Sequence, residues 1–117
     1  MKASPNIMES QIRRGRIAPG MTFEQKVWAI TARIPRGRVM TYADVARRLK
    51  SNGYRAVGRA LHRNPYSPQV PCHRVVGSNG RLTGFAQGLD KKRRMLQDEG
   101  VQFIGDRVNL RRARASR

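Results

Sequence analysis

The sequence predicts a mainly α domain built around a helix-turn-helix, with a small β-hairpin as a wing. Three observations carry that prediction. Thr22 with Gln25 and Thr41 with Asp44 are two helix-start signatures, each followed by apolar residues at helical spacing. Turn chemistry at Ser51-Asn52-Gly53 separates the second of these from a third helical stretch, which ends at Asn64-Pro65. Beyond it the pattern changes to short extended runs broken by Ser78-Asn79-Gly80 and Gly105-Asp106.

The elements follow in order. Phe23, Val27, Ile30 and Ile34 share one face of the first helix, which stops before Pro35. Arg36-Gly37 reads as a turn and Arg38-Val39-Met40 as a short extended piece. Tyr42, Val45, Ala46 and Leu49 line one face of the next helix. The third helix, over 54–63, turns Val57, Ala60 and Leu61 inward. Helix, short turn and helix make the winged-helix-like unit. His73-Arg74-Val75-Val76 then reads as a strand leading into a hairpin at 78–80. A helix from Leu89 to about Asp98 carries Met95 and Leu96 and ends at Gly100. A last hairpin is expected over 101–110.

At 117 residues the chain has room for one modest core. Residues 22–110 are expected to form that domain. Residues 1–21 carry Arg13, Arg14 and Arg16 with little apolar periodicity and read as a flexible basic arm, and 111–117 as a basic tail. Lys and Arg number 25 against 7 Asp and Glu, so the net charge is +18 and the partner expected is a polyanion. No apolar run approaches the roughly 18 residues that would span a bilayer, and no signal peptide is visible. The lone cysteine cannot form an internal disulfide, which fits a reducing cytoplasm or nucleoid.

Arg55, Arg59 and Arg63 fall at i, i+4 and i+8 on the third helix and are expected to face away from the core. A solvated helix face would produce the same spacing. Between Arg33 and Arg63, however, Asp44 is the only acid among nine basic residues, which points to an external anion.

Cys72 stands between Pro71 and His73. An adjacent imidazole can take its proton, and Arg74 adds to the positive field that favours a thiolate. An inert structural thiol is the competing reading. A zinc site would have only Cys72, His62 and His73 as soft donors, two of them adjacent, so neither a metal nor another cofactor is expected. A hydrolase triad remains open on residue types alone, although so basic a surface suits a nucleic-acid partner better.

The order of blocks is more specific: Arg38-Val39-Met40-Thr41-Tyr42, Arg55-Ala56-Val57-Gly58, Asn64-Pro65, Pro71-Cys72-His73-Arg74-Val75-Val76, then Gly84-Phe85-Ala86-Gln87-Gly88-Leu89 with Lys91 or Lys92, and Asp98-Glu99-Gly100. Over about 22–103 this resembles the O6-alkylguanine-DNA alkyltransferases, in their C-terminal DNA-binding and active-site domain. The resemblance implies direct repair of double-stranded DNA. An alkylated guanine is flipped from the duplex and its alkyl group passes irreversibly to Cys72, with no cofactor, in a monomer.

It also implies roles. His73 acts as base through a water, Glu99 orients the imidazole, and Tyr42 donates toward the departing guanine. Arg55 fills the space left by the flipped base. Asn64 ties the helix pair to the active-site turn, and Arg74 supports that turn. Thr41, Ala56, Gly58, Arg59, Arg63 and Arg74 join Arg55 and Tyr42 at the DNA, which the second helix enters by the minor groove, with Ala56, Gly58 and Ala60 small enough for close approach. Val75, Phe85, Ala86 and Gln87 join Tyr42 around the base. The loop departs from the family's usual Tyr, small residue, Gly, so a hydroxyl contact to the base is missing.

The resemblance starts at about residue 22, so the family's usual N-terminal domain is not expected in this chain, an arrangement similar to the alkyltransferase-like proteins, which bind such lesions without repairing them and mark them for excision repair. Those proteins usually carry Trp where Cys72 stands. Besides the repair enzyme and the lesion-binding module, a winged-helix transcription factor with an incidental thiol is a third class.

Overall fold

Both capping boxes close. Thr22 Oγ1 accepts the Gln25 N–H at 3.1 Å while Gln25 Oε1 accepts the Thr22 N–H at 2.9 Å. Thr41 and Asp44 make the same reciprocal pair, each at 3.0 Å. With their first-turn donors satisfied, two helices start where the sequence expects them: α2 (Phe23–Ala32) and α3 (Tyr42–Arg48).

The computed structural model of the protein describes residues 5–85 and 87–115. Ahead of α2 lies α1 (Pro5–Arg13). A two-residue strand, β1 (Met40–Thr41), precedes α3, and α4 (Tyr54–His62) completes the helix-turn-helix. A 3-10 turn at Cys72–Arg74 leads into β2 (Val75–Val76). Then come α5 (Leu89–Asp98), β3 (Phe103–Ile104), β4 (Arg107–Val108) and the single turn α6 (Leu110–Ala113). The mainly α architecture, the helix-turn-helix and the small hairpin are as the sequence predicts. Among the described residues no helix is long and apolar enough to cross a membrane.

The principal core lies where α2 crosses α3 and α4. Val27, Ile30, Val45, Val57, Ala60 and Val75 are buried there, and Trp28 Nε1 donates to the Ala60 carbonyl at 2.7 Å. A second cluster of Val39, Val76, Leu96, Val101, Val108 and Ala113 joins α5 and the hairpin to β1 and β2.

Three expectations are corrected. The basic segment at 1–21 carries α1 on a packed seam: Ile12 is fully buried and meets Met21, Ala29 and Val70. Burial of one such side chain contributes about 1.5–3 kcal/mol, enough to hold a short helix whose apolar residues are too few to read as periodic. The described part of the tail, residues 111–115, is likewise docked, since Val39 N donates to the Ala113 carbonyl at 2.8 Å and Ala115 N to the Val39 carbonyl at 2.7 Å, while 116–117 lie outside the described residues. Finally, the strand expected over 73–76 is half a 3-10 turn, and its remainder forms no hairpin with the residues after it. Val75 and Val76 pair in parallel with Met40 and Thr41 and are covered on both faces, which explains why their sequence does not alternate. The hairpin is β3 with β4, which Arg81 joins through a single antiparallel bridge to Arg107.

Candidate active site and arginine groove

Helix α4 presents Arg55 and Arg59, and its C-cap Arg63, to solvent, as their spacing predicts. With Tyr42, Tyr54 and Gly58 they line a groove of about 500 Å³. Arg63 has only a loose exposed pairing with Glu24 at 3.5 Å. At Gly58 a Cβ would meet nothing closer than the Tyr42 ring edge at 4.0 Å, so the helix surface is open there. Ala56 is half-buried, and Ala60 faces the core instead of the groove.

Behind the groove, and sharing Tyr42, His62 and Gly84 with it, lies a smaller pocket of about 170 Å³. Cys72, Asn64, Ser67, Phe85 and Gln87 complete its wall. The turn 72–74 thus brings a half-buried thiol to the lining of a cavity that adjoins the arginine groove. Cys72 Sγ–H points to Ser67 Oγ at 3.9 Å, a weak contact that leaves the sulfur available. Asn64 braces the loop that carries Cys72: its Nδ2 donates to the Val70 carbonyl and its Oδ1 accepts the Tyr66 N–H, both at 2.9 Å. Tyr42 Oη meets the Thr83 carbonyl at 3.2 Å and the Thr83 hydroxyl at 3.1 Å. Burial above all holds the phenol protonated beyond its usual range.

The residues after Cys72 turn inward. His73 is 3 % exposed, with Nε2 2.9 Å from Glu99 Oε2. Arg74 clamps the same carboxylate through Nε at 2.9 Å and Nη2 at 2.8 Å, and its Nη1 donates to the Ile34 carbonyl. Burial alone would raise the Glu99 carboxyl, but the hydrogen bonds from Arg74 and His73 outweigh it and hold the group down to about 2. A carboxylate can only accept, so the imidazole proton sits on Nε2 and Nδ1 keeps its lone pair. Burial lowers the His73 pKa more than Glu99 raises it, which favours the neutral ring.

Lys92 is the member of the Lys91-Lys92 pair that the fold selects for the site. It is 1 % exposed, its Nζ donates to the Val75 and Thr83 carbonyls at 2.8 and 2.9 Å, and it lies about 6 Å from the ring centres of Tyr42 and Phe85. Burial brings its pKa down to about 8, against the opposing influence of Cys72. Thr83 and Ser67 also belong to the site, and sequence reasoning misses them. Neither carries a signal beyond ordinary loop polarity.

Cys72, Tyr42, Asn64, Phe85 and Gln87 therefore line one pocket, His73 pairs with Glu99 at the next position of the same turn, and Ala86 lies outside the described residues. Three assignments are corrected. Thr41 is 1 % exposed with its hydroxyl committed to the α3 cap, so it does not reach the groove surface. Arg74 spends its guanidinium on Glu99 and Ile34 and is a brace for the turn. Val75 is sealed in the core and contributes only its carbonyl, to Lys92.

Fold and site together define a helix-turn-helix domain with a cysteine pocket behind its second helix. Residues 22–101 match the family model described as "6-O-methylguanine DNA methyltransferase, DNA binding domain", and the chain belongs to that family. The methylated-DNA–protein-cysteine methyltransferase of Methanosarcina mazei is 48 % identical over 86 residues, 72 % of this chain and 54 % of that protein. The Salmonella typhimurium protein of the same name is 48 % identical over 86 residues, 73 % of this chain and 50 % of its own length. The chain thus spans about half the length of these curated relatives. Among solved structures, S. pombe Atl1 in complex with damaged DNA containing O6-carboxymethylguanine superposes with a TM-score of 0.70 at 28 % identity, over 81 % of this chain and 95 % of that one. Mycobacterium tuberculosis OGT in complex with DNA gives 0.66 at 34 % identity, over 81 % and 63 %.

Proposed function

We propose that this domain repairs alkylated guanine in double-stranded DNA by moving the alkyl group from guanine O6 to Cys72, once per protein molecule. The observation that carries this reading is the meeting of Cys72 and Tyr42 in a pocket that shares Tyr42, His62 and Gly84 with the arginine groove of α4. The relatives named as methyltransferases support it. Salt-sensitive contacts from Arg59 and Arg63 hold phosphates while α4 lies in the minor groove, with Gly58 and Ala56 allowing close approach. The lesion must leave the stack to reach a thiol behind the helix, and Arg55 fills the vacated space.

The chemistry follows from the proton inventory. His73 Nδ1 takes the Cys72 proton through an intervening water. The sulfur attacks the alkyl carbon, so the S–C bond forms as the C–O6 bond breaks. Tyr42 gives its hydroxyl proton to the departing guanine, and the proton on His73 then restores the phenol. Thiol and O6-alkylguanine become thioether and guanine, with no cofactor. A thioether offers no route back to the thiol, so the protein is consumed. Such a monomer works where the genome lies, in a nucleoid-containing cytoplasm.

A second reading, lesion binding that summons excision-repair proteins without transfer, is favoured by the likeness to Atl1. The intact mass of the protein after incubation with a duplex containing O6-methylguanine separates the two. One methyl increment supports transfer. Tight lesion binding with unchanged mass supports the second reading.

A further inference from the structure

The C-terminal segment is tied to the front of the helix-turn-helix. Arg114 bridges Val39 in parallel, so the segment adds an edge to β1, whose other edge pairs with β2 beyond the Cys72 turn. Arg38 Nη1 donates to the Arg112 carbonyl at 2.6 Å, and the backbone of Ala113 and Ala115 brackets Val39. From that edge the Arg114 guanidinium grips Asp44 with two bonds, Nε to Oδ2 at 3.0 Å and Nη2 to Oδ1 at 2.7 Å. Arg47 shares Oδ1, and Oδ2 also accepts the Thr41 N–H. Asp44 closes the capping box of α3, and Tyr42 is the first residue of that helix.

We infer that Arg114 is a positioning residue for Tyr42, fixing the start of α3 through Asp44 so that the phenol stays at the pocket wall. Four donors on one carboxylate define its orientation more tightly than the single capping-box bond it accepts. The planar, two-pronged guanidinium supplies a geometry that an ammonium cannot copy. The tail is then a strap, not a free phosphate-binding arm. The inference rests on the proposed transfer for its kinetic consequence, but its structural content does not.

The experiment compares the full chain with Arg114→Ala and Arg114→Lys, using tyrosine labelled with carbon-13 at the phenol carbon and, in parallel, the rate of transfer from an O6-methylguanine duplex. Arg114 is half-exposed, and removal of one such pair leaves the fold intact. The Tyr42 signal and its alkaline titration are expected to move in both variants, with Tyr54 and Tyr66 unmoved. Transfer is expected to slow about tenfold in both, a scale set by loss of alignment. In a Tyr42→Phe background Arg114→Ala is expected to cost nothing further. An unmoved Tyr42 signal would overturn the inference, as would full rescue by lysine or an equal loss in the Tyr42→Phe background. If the wild type transfers nothing, the proposed reaction fails, and the Tyr42 signal still decides the positioning role.

Discussion

Glu99 Oε2 holds the Nε2–H of His73 at 2.9 Å, and this one contact sets the tautomer of the imidazole beside Cys72. The ring is buried and its partner is ionised, so Nδ1 is the free base. Arg74 keeps the carboxylate anionic and pointed, which makes the three side chains a single unit.

Replacing Glu99 by Gln keeps the shape and removes the charge. It leaves Arg74 partly unpaired in a buried setting and allows the other imidazole tautomer. Transfer is expected to fall about 10–100-fold and stability by about 2–4 kcal/mol, read from single-turnover kinetics and urea unfolding.

The same pair sets an acid limit. Glu99 falls from 4.5 to about 2 in the folded state, so its stabilisation is complete above pH 4.5 and is lost as pH drops toward 2. His73 is also lowered from 6.5, hence its contribution is present above that value and disappears below it. Both act in one direction. Unfolding free energy should decline from about pH 6.5 downward, and Glu99→Gln should flatten the part below pH 4.5.

Lys92→Met removes the buried donor to the Val75 and Thr83 carbonyls and leaves Thr83 with the Tyr42 hydroxyl as its remaining donor. A loss of about 2–3 kcal/mol is expected in thermal unfolding at pH 7. Since the wild-type lysine is lowered from 10.5 to about 8, the unfolded chain holds more protons between those values. Its contribution to stability therefore grows as pH rises from 8 to 10.5, and the methionine variant should lack that rise.

Asn64→Ala unties the loop at Val70 and Tyr66. The expected cost is about 1–3 kcal/mol, together with faster amide exchange over 65–72 and slower transfer, while binding to undamaged DNA stays unchanged.

Duplex affinity should drop steeply between low and physiological salt. Arg59→Ala should reduce the slope of log affinity against log salt by about 1 for each phosphate that the arginine neutralises, without altering sequence preference. An unaltered slope would remove Arg59 from the interface.

Much of the fold is legible from local pattern. The capping residues Thr22 and Thr41 announce α2 and α3 because a cap is settled within four residues, and the arginine spacing of α4 follows from helical period alone. The Cys72 motif and Asn64 can be read because their order along the chain is itself informative. What escapes depends on packing between residues distant in sequence. Ile12 is buried only because Val70 and Ala29 cover it. Arg114 reaches Asp44 across the fold, and Val75 turns inward because β1 claims its edge. Lys92 cannot be told from Lys91 until its helix is docked, since charge type says nothing of which side faces the rings of Tyr42 and Phe85. The resemblance sets Thr41 and Arg74 at the DNA, but Thr41 is buried in the α3 cap and Arg74 is held by Glu99 and Ile34 in the turn-supporting role that the resemblance also implies.

The most direct measurement is peptide mapping of the wild type and Cys72→Ala after exposure to a duplex with one O6-methylguanine, alongside a count of guanines restored. A methyl group on the Cys72 peptide and one restored guanine per protein consumed are expected, with neither event in Cys72→Ala, which should still bind the duplex. Restored guanine with Cys72 unmodified, or repair by the alanine variant, would contradict transfer to Cys72.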